Sequence, residues 1–162
     1  IENFWRDVLG YSCLAGLFGA IAMTIGYIFS YYLSGWALLK VPYSSAMLNS
    51  ETFQDIARGQ AQCVSTLIGT VFCLFVFWSV TDISIWKMRT FFNNMKATVL
   101  GLVAIVLGIA MMLLFPNFFQ IEVPDQFGWS MIIFLPTSSF YILRMLQSSK
   151  LLRHLPRYLT QP

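Results

Sequence analysis

The chain has 162 residues, of which 57% are hydrophobic and 10% are charged, with a formal net charge of +3. An ordinary soluble domain has about 25% charged residues, so this composition excludes a water-soluble globular protein and predicts an integral membrane protein. Its Lys and Arg residues flank apolar segments instead of forming a basic face, which excludes nucleic acid as a partner.

Apolar runs of roughly 18 residues or more are long enough to cross a lipid bilayer as helices. Runs of this kind predict an all-α, integral membrane bundle of four transmembrane helices, a single membrane domain over residues 1–162. The predicted helices are about 11–36, 60–80, 97–115 and 127–147. The first is not expected to be a signal peptide, because no basic segment or small-residue cleavage site accompanies it. Because the chain begins with Ile1 and not Met, we expect it to be part of a longer polypeptide.

Small residues recur at spacings of three and four along the first predicted helix, so they share one helical face. They are Ala15, Gly19, Ala22, Gly26 and Ser30. A face of this kind lets another membrane helix approach closely, and it predicts helix packing.

The second predicted helix contains AQCVSTLIGTVFCLFVFW, residues 61–78, in which small and polar side chains share one face. They are Gln62, Ser65, Thr66, Gly69, Thr70 and Cys73. A hydroxyl or amide without a partner is costly in hydrocarbon. We therefore expect this polar face to contact protein or water, while Phe72, Phe75 and Val76 face elsewhere.

Two interpretations of the polar face remain open. In the first, it forms interhelical hydrogen bonds and packs tightly, with Gly69 as a packing residue. In the second, Gln62, Ser65, Thr66 and Thr70 contribute ligands, or neighbours of ligands, to the path of a metal cation. The first is favoured because hydroxyls alone bind ions weakly, and no Asp, Glu, Lys or Arg lies near the centre of any predicted helix.

The third and fourth predicted helices carry weaker signals. Gly101, Ala104 and Gly108 form a second small-residue face, which again predicts packing. Pro136 lies inside the last helix and precedes a Thr-Ser-Ser run. A proline there predicts a helix kink, with the hydroxyls bonding the carbonyl that it frees. A static kink is favoured over a hinge.

The sequence predicts no catalytic residue, no metal site and no cofactor in this chain. It has no GxxxxGK loop and no HExxH motif. Cys13, Cys63 and Cys73 have no metal-type spacing. A redox enzyme is disfavoured because Cys63 and Cys73 lie about 15 Å apart along one helix.

The distribution of Lys and Arg predicts the orientation in the membrane. Two, Lys40 and Arg58, lie on one predicted side. The other side holds the eight residues Arg6, Lys87, Arg89, Lys96, Arg144, Lys150, Arg153 and Arg157. Both termini are therefore predicted to be cytoplasmic.

From residue 57 onward, the order of features resembles the last four membrane helices of P-type cation-transporting ATPases. ARGQAQCVSTLIGTVFCLFVFWSV and FFNNMKATVLGLVAIVLG are similar to the eighth helix and the loop and helix after it. MMLLFPNFFQIEVPDQFGW has its two prolines and Trp129 in matching places. Pro136 and Arg144 match the last helix, whereas Tyr141 stands where the family often has an acid.

This resemblance implies an ATP-driven cation pump, with ATP and Mg bound elsewhere in the parent chain. The phosphorylated aspartate and the main ion ligands would lie upstream of Ile1. The partners of this chain would be the remaining membrane helices and the cytoplasmic domains. It would buttress the transport helices, and it lacks, at residues 69–71, the carboxylate or amide ligand of calcium-pumping members.

The alternative is a free-standing small tetraspan protein. Such a protein would be an accessory or assembly subunit that packs on a larger membrane complex through its glycine-rich faces. A start codon just before Ile1 would favour it, whereas an upstream DKTGT phosphorylation motif would exclude it.

Overall fold

The computed structural model describes residues 2–39, 51–81, 83, 87–124 and 126–148. All regular secondary structure in these ranges is helical, and four of the helices are long and apolar enough to cross a membrane, which confirms the predicted all-α class. The helices are α1 (Glu2–Leu39), α2 (Glu51–Val80), α3 (Met88–Asn93), α4 (Met95–Leu114), α5 (Pro116–Phe119) and α6 (Gln126–Ser148).

The first two helices extend beyond the predicted spans. α1 begins at Glu2 and α2 at Glu51, whereas the apolar runs begin near residues 11 and 60. Hydropathy marks the part of a helix that suits hydrocarbon, but backbone hydrogen bonding continues into polar flanks. Several residues used to predict the orientation lie outside the described ranges, namely Lys40, Lys150, Arg153 and Arg157.

The core of the bundle lies between α1, α2 and α6, which pack against one another. α2 supplies its most deeply buried side chains, among them Ala61, Val64 and Ile68, each 0% exposed. A second cluster joins Ala15, Phe72, Phe140 and Leu143 near one end of the same three helices. Apolar packing of α2 on two neighbours therefore organises the bundle.

The small residues of α1 lie against α2. A Cβ at Gly19 would lie 3.0 Å from Cδ1 of Phe72, and a Cβ at Gly26 would overlap Cδ1 of Ile68. Ala22 belongs to the larger core cluster. These contacts place the backbone of α1 close to the side chains of α2, as in other small-residue helix interfaces.

α4 packs chiefly on α2, and it contributes only Gly101 and Met112 to the buried residues that the structure describes. A Cβ at Gly101 would lie 2.5 Å from Nε1 of Trp78 and 2.7 Å from Cδ1 of Leu74. Gly108 differs from the prediction, because no side chain lies within 4 Å of its Cβ position. α4 therefore contacts α2 closely at Gly101, whereas the surrounding side chains lie more than 4 Å from the Cβ position of Gly108.

α6 continues through Pro136, so the predicted kink stays a prediction. The Thr137 hydroxyl donates to the carbonyl of Ile133, not to that of Ile132, whose usual N–H donor the proline removes. The Ser139 hydroxyl instead donates to the carbonyl of Phe18 on α1, at 3.1 Å. The hydroxyls after the proline therefore stabilise their own helix and its contact with α1.

Candidate functional site

The polar face of α2 lies at the margin of the bundle. Gln62, Ser65 and Thr70 are half-buried, and Thr66 and Cys73 are exposed. The most buried face of α2 is aliphatic and aromatic, and it includes Phe72, which we expected to point away from protein contacts. Apolar side chains fill the space between three helices better than hydroxyl-bearing ones, which explains the difference.

The hydroxyls of the polar face are hydrogen-bonded to backbone carbonyls. Thr66 donates to the carbonyl of Gln62 and Thr70 to that of Thr66, each at 2.8 Å within α2. Ser65 donates across the interface to the carbonyl of Met23 on α1, at 3.2 Å. Each bond removes the cost of an unpaired hydroxyl in hydrocarbon, and one of them joins two helices.

A cavity of about 620 Å³ lies over this face, between α1, α2 and α4, and we call it the groove. Met23 of α1 lines it, together with Leu100, Gly101, Ala104 and Ile105 of α4. Its lining from α2 consists of Thr66, Gly69, Thr70, Cys73, Leu74 and Phe77. Because Thr66, Cys73, Leu100 and Ala104 are all exposed, the groove is open on its outer side.

The groove brings together part of the predicted ligand set. Thr66 and Thr70 line it, whereas the Ser65 hydroxyl is directed to α1 and Gln62 is not among the lining residues. A metal cation needs several oxygen ligands, usually with a carboxylate. Within the described ranges, no group of three or more His, Cys, Asp or Glu side chains could hold a metal ion. The three cysteines are free.

The loop before α6 is attached to α2 by contacts that the sequence reasoning missed. Gln60 is 4% exposed, and its Nε2 donates to the carbonyl of Val123 at a long 3.4 Å. Its Oε1 is buried without a hydrogen-bond partner. A Cβ at the adjacent Gly59 would lie 3.2 Å from the backbone nitrogen of Glu122, so the loop backbone passes close to α2 here. In the sequence, the adjacent Gly59 and Gln60 near the start of the second span could have indicated this contact.

At the opposite end, an aromatic residue joins α2 to α4. The indole Nε1 of Trp78 donates to the carbonyl of Ala97 at 3.4 Å, and its ring meets Phe91 edge to face at 5.0 Å. Asn94, at the break between α3 and α4, donates from its side chain to the carbonyl of Thr81 at 3.2 Å. These contacts hold the start of α4 against the end of α2.

The described site is therefore an apolar groove bordered by hydroxyls that bond the backbone, without a recognisable catalytic or metal-binding group among the residues that the structure describes. It can hold an apolar group or another surface. Comparisons with protein-family models, with curated proteins and with solved structures find no match to this chain.

Proposed function

We propose that this chain is the C-terminal membrane region of an ATP-driven cation pump of the P-type class, and that it holds the ion-transport helices in place. The order of motifs from residue 57 onward supports the class of protein. The observation that carries the supporting role is the hydrogen bonding of Ser65, Thr66 and Thr70, whose hydroxyls all donate to backbone carbonyls. Side chains used in this way stabilise helices, and hydroxyl oxygens without a neighbouring carboxylate bind cations only weakly.

The distribution of charge agrees with a supporting role. The span Val8–Leu33 contains no charged residue, and the other three spans carry theirs near their ends. These are Asp55, Arg58, Lys96 and Arg144. Ion and proton paths through membranes are marked by charged or carboxylate groups inside the spans. The residues that bind the transported cation would therefore belong to the remaining helices of the parent chain.

The same proposal includes the insertion of this chain into a membrane and the orientation of the chain there. The four long apolar helices would cross the bilayer, with α2 and α4 joined at the end that carries Lys87, Arg89 and Lys96. The excess of basic residues at this end favours the cytoplasmic side. ATP, Mg and the phosphorylated aspartate would then lie in domains on that side.

The experiment that tests the proposal is to read the gene upstream of the codon for Ile1. An open frame that contains a DKTGT motif and further apolar spans is the expected result. A start codon a few residues before Ile1 would overturn it. The chain would then be a small tetraspan protein, and the search would move to the complex on which it packs.

A further inference from the structure

The groove has a chemistry that restricts what can occupy it. Thr66 and Thr70 are its hydroxyl-bearing residues, and both hydroxyls donate to carbonyls of α2. The remaining lining side chains are aliphatic or aromatic, apart from the Cys73 thiol and two glycines. An occupant therefore gains apolar contact and few directed hydrogen bonds, which favours hydrocarbon.

The length of the groove suits one lipid hydrocarbon chain. Its lining on α2 runs from Thr66 to Phe77, which is about 16 Å along the helix. That length is close to half of the hydrocarbon thickness of a bilayer, about 30 Å, which is the depth of one leaflet.

One end of the groove lies beside positive charge. Leu100 lines the groove, and Lys96 lies one turn earlier on the same face of α4, exposed. Exposed Lys87 and Arg89 belong to the same end of the bundle. A lysine at the end of a membrane helix extends its ammonium group to the level of the lipid headgroups. The groove therefore leads from mid-membrane to a cationic headgroup position.

We propose that the groove binds one anionic phospholipid, with an acyl chain along α2 and the headgroup phosphate at Lys96. The proposal requires that the chain spans a membrane, but it does not require that the parent protein is a pump. Binding of the headgroup phosphate to a lysine near the membrane surface makes the site prefer anionic over zwitterionic lipids. Contact with the apolar lining keeps the acyl chain bound.

The test uses the full-length product of the gene that encodes this chain, purified in mild detergent after a carbonate wash of the membranes. Native mass spectrometry counts the lipids that it retains from added phosphatidylglycerol and phosphatidylcholine. Ala104→Phe fills the groove, and Ala20→Phe places the same ring on an exposed alanine of α1 outside it. Lys96→Gln removes the headgroup contact, and Arg58→Gln removes an exposed cation at the opposite end. Thermal unfolding confirms that each variant is folded.

We expect wild type and both controls to retain one phosphatidylglycerol, Ala104→Phe to lose it, and Lys96→Gln to bind it about fivefold more weakly. Equal retention of the two lipids by wild type, or unchanged retention by Ala104→Phe, would overturn the proposal. Loss of self-association in Ala104→Phe, without loss of lipid, would show that a second copy fills the groove. Release of the protein by carbonate would refute membrane insertion itself, which separates that failure from the absence of a lipid site.

Discussion

For the hydroxyls of α2, the sequence predicts the helical face on which each side chain lies but not the carbonyl to which it donates. Ser65, Thr66 and Thr70 share a face, and the face is readable from their spacing. The acceptor is not readable, because a hydroxyl rotates to the nearest carbonyl, in its own helix or in a neighbour. Thr66 and Thr70 bond within α2 and Ser65 bonds to α1, so three similar side chains contribute differently.

Removing these hydroxyls separates a structural role from a role in ion transport. We expect Thr66→Val and Thr70→Val to change the free energy of unfolding by less than about 0.5 kcal/mol, because each loses a bond within its own helix. Ser65→Ala should cost about 0.6 kcal/mol, since it loses an interhelical bond. Unfolding in mixed detergent micelles measures all three. If the full-length protein is a pump, its cation-stimulated ATP hydrolysis should stay within about twofold of wild type in all three variants. A loss of cation affinity in Thr66→Val or Thr70→Val would instead make the polar face an ion site.

Contacts between elements depend on a few glycines. On α1, Gly26 lies against Ile68, whereas nothing lies within 4 Å of a Cβ at Gly16. Gly26→Leu should destabilise the bundle by about 1–3 kcal/mol, because the larger side chain must displace part of the core. Gly16→Leu, on the same helix, should be neutral or slightly stabilising, since leucine favours helix over glycine. Thermal unfolding in detergent compares them, and similar midpoints for the two variants would contradict the packing of α1 on α2.

α4 offers a second matched pair of glycines. Gly101→Leu forces a side chain against Trp78 and Leu74, whereas Gly108→Leu enters open space. We expect the first to weaken the contact of α4 with α2, and the second to leave it intact. Thermal unfolding in detergent compares the two variants, and we expect a lower midpoint for Gly101→Leu than for Gly108→Leu. The opposite order of midpoints would show that α4 is placed differently.

The helices could be predicted from the sequence more fully than the contacts between them. Long apolar runs predicted four helices, because crossing hydrocarbon requires length and a closed set of backbone hydrogen bonds. The partner of each face was not predictable. Ser139 with Phe18, Gln60 with Val123 and Trp78 with Ala97 join residues far apart in sequence, and spacing within one helix carries no information about them. The groove was missed for the same reason.

The arrangement of charge along the chain predicts how the molecule is oriented in the membrane. Met88, at the start of α3, and Glu122, in the loop between α5 and α6, are exposed, and they precede and follow α4 in the chain. In a variant without native cysteines, Met88→Cys should react with an impermeant maleimide only after the cell membrane is opened, because the basic end should be cytoplasmic. Glu122→Cys should react in intact cells. The reverse pattern would place both termini outside.

If these helices belong to an ATP-driven pump of the P-type class, the full-length protein forms a phosphoenzyme, and this can be measured. The gene product, tagged at its C-terminus and kept in native membranes, is incubated with labelled ATP and Mg and then denatured in acid. P-type pumps form an aspartyl phosphate, so we expect acid-stable, hydroxylamine-sensitive label on a tagged polypeptide much larger than 18.5 kDa, with a level that depends on the transported cation. A tagged polypeptide that carries no label under any cation condition would show that these helices do not belong to a P-type pump.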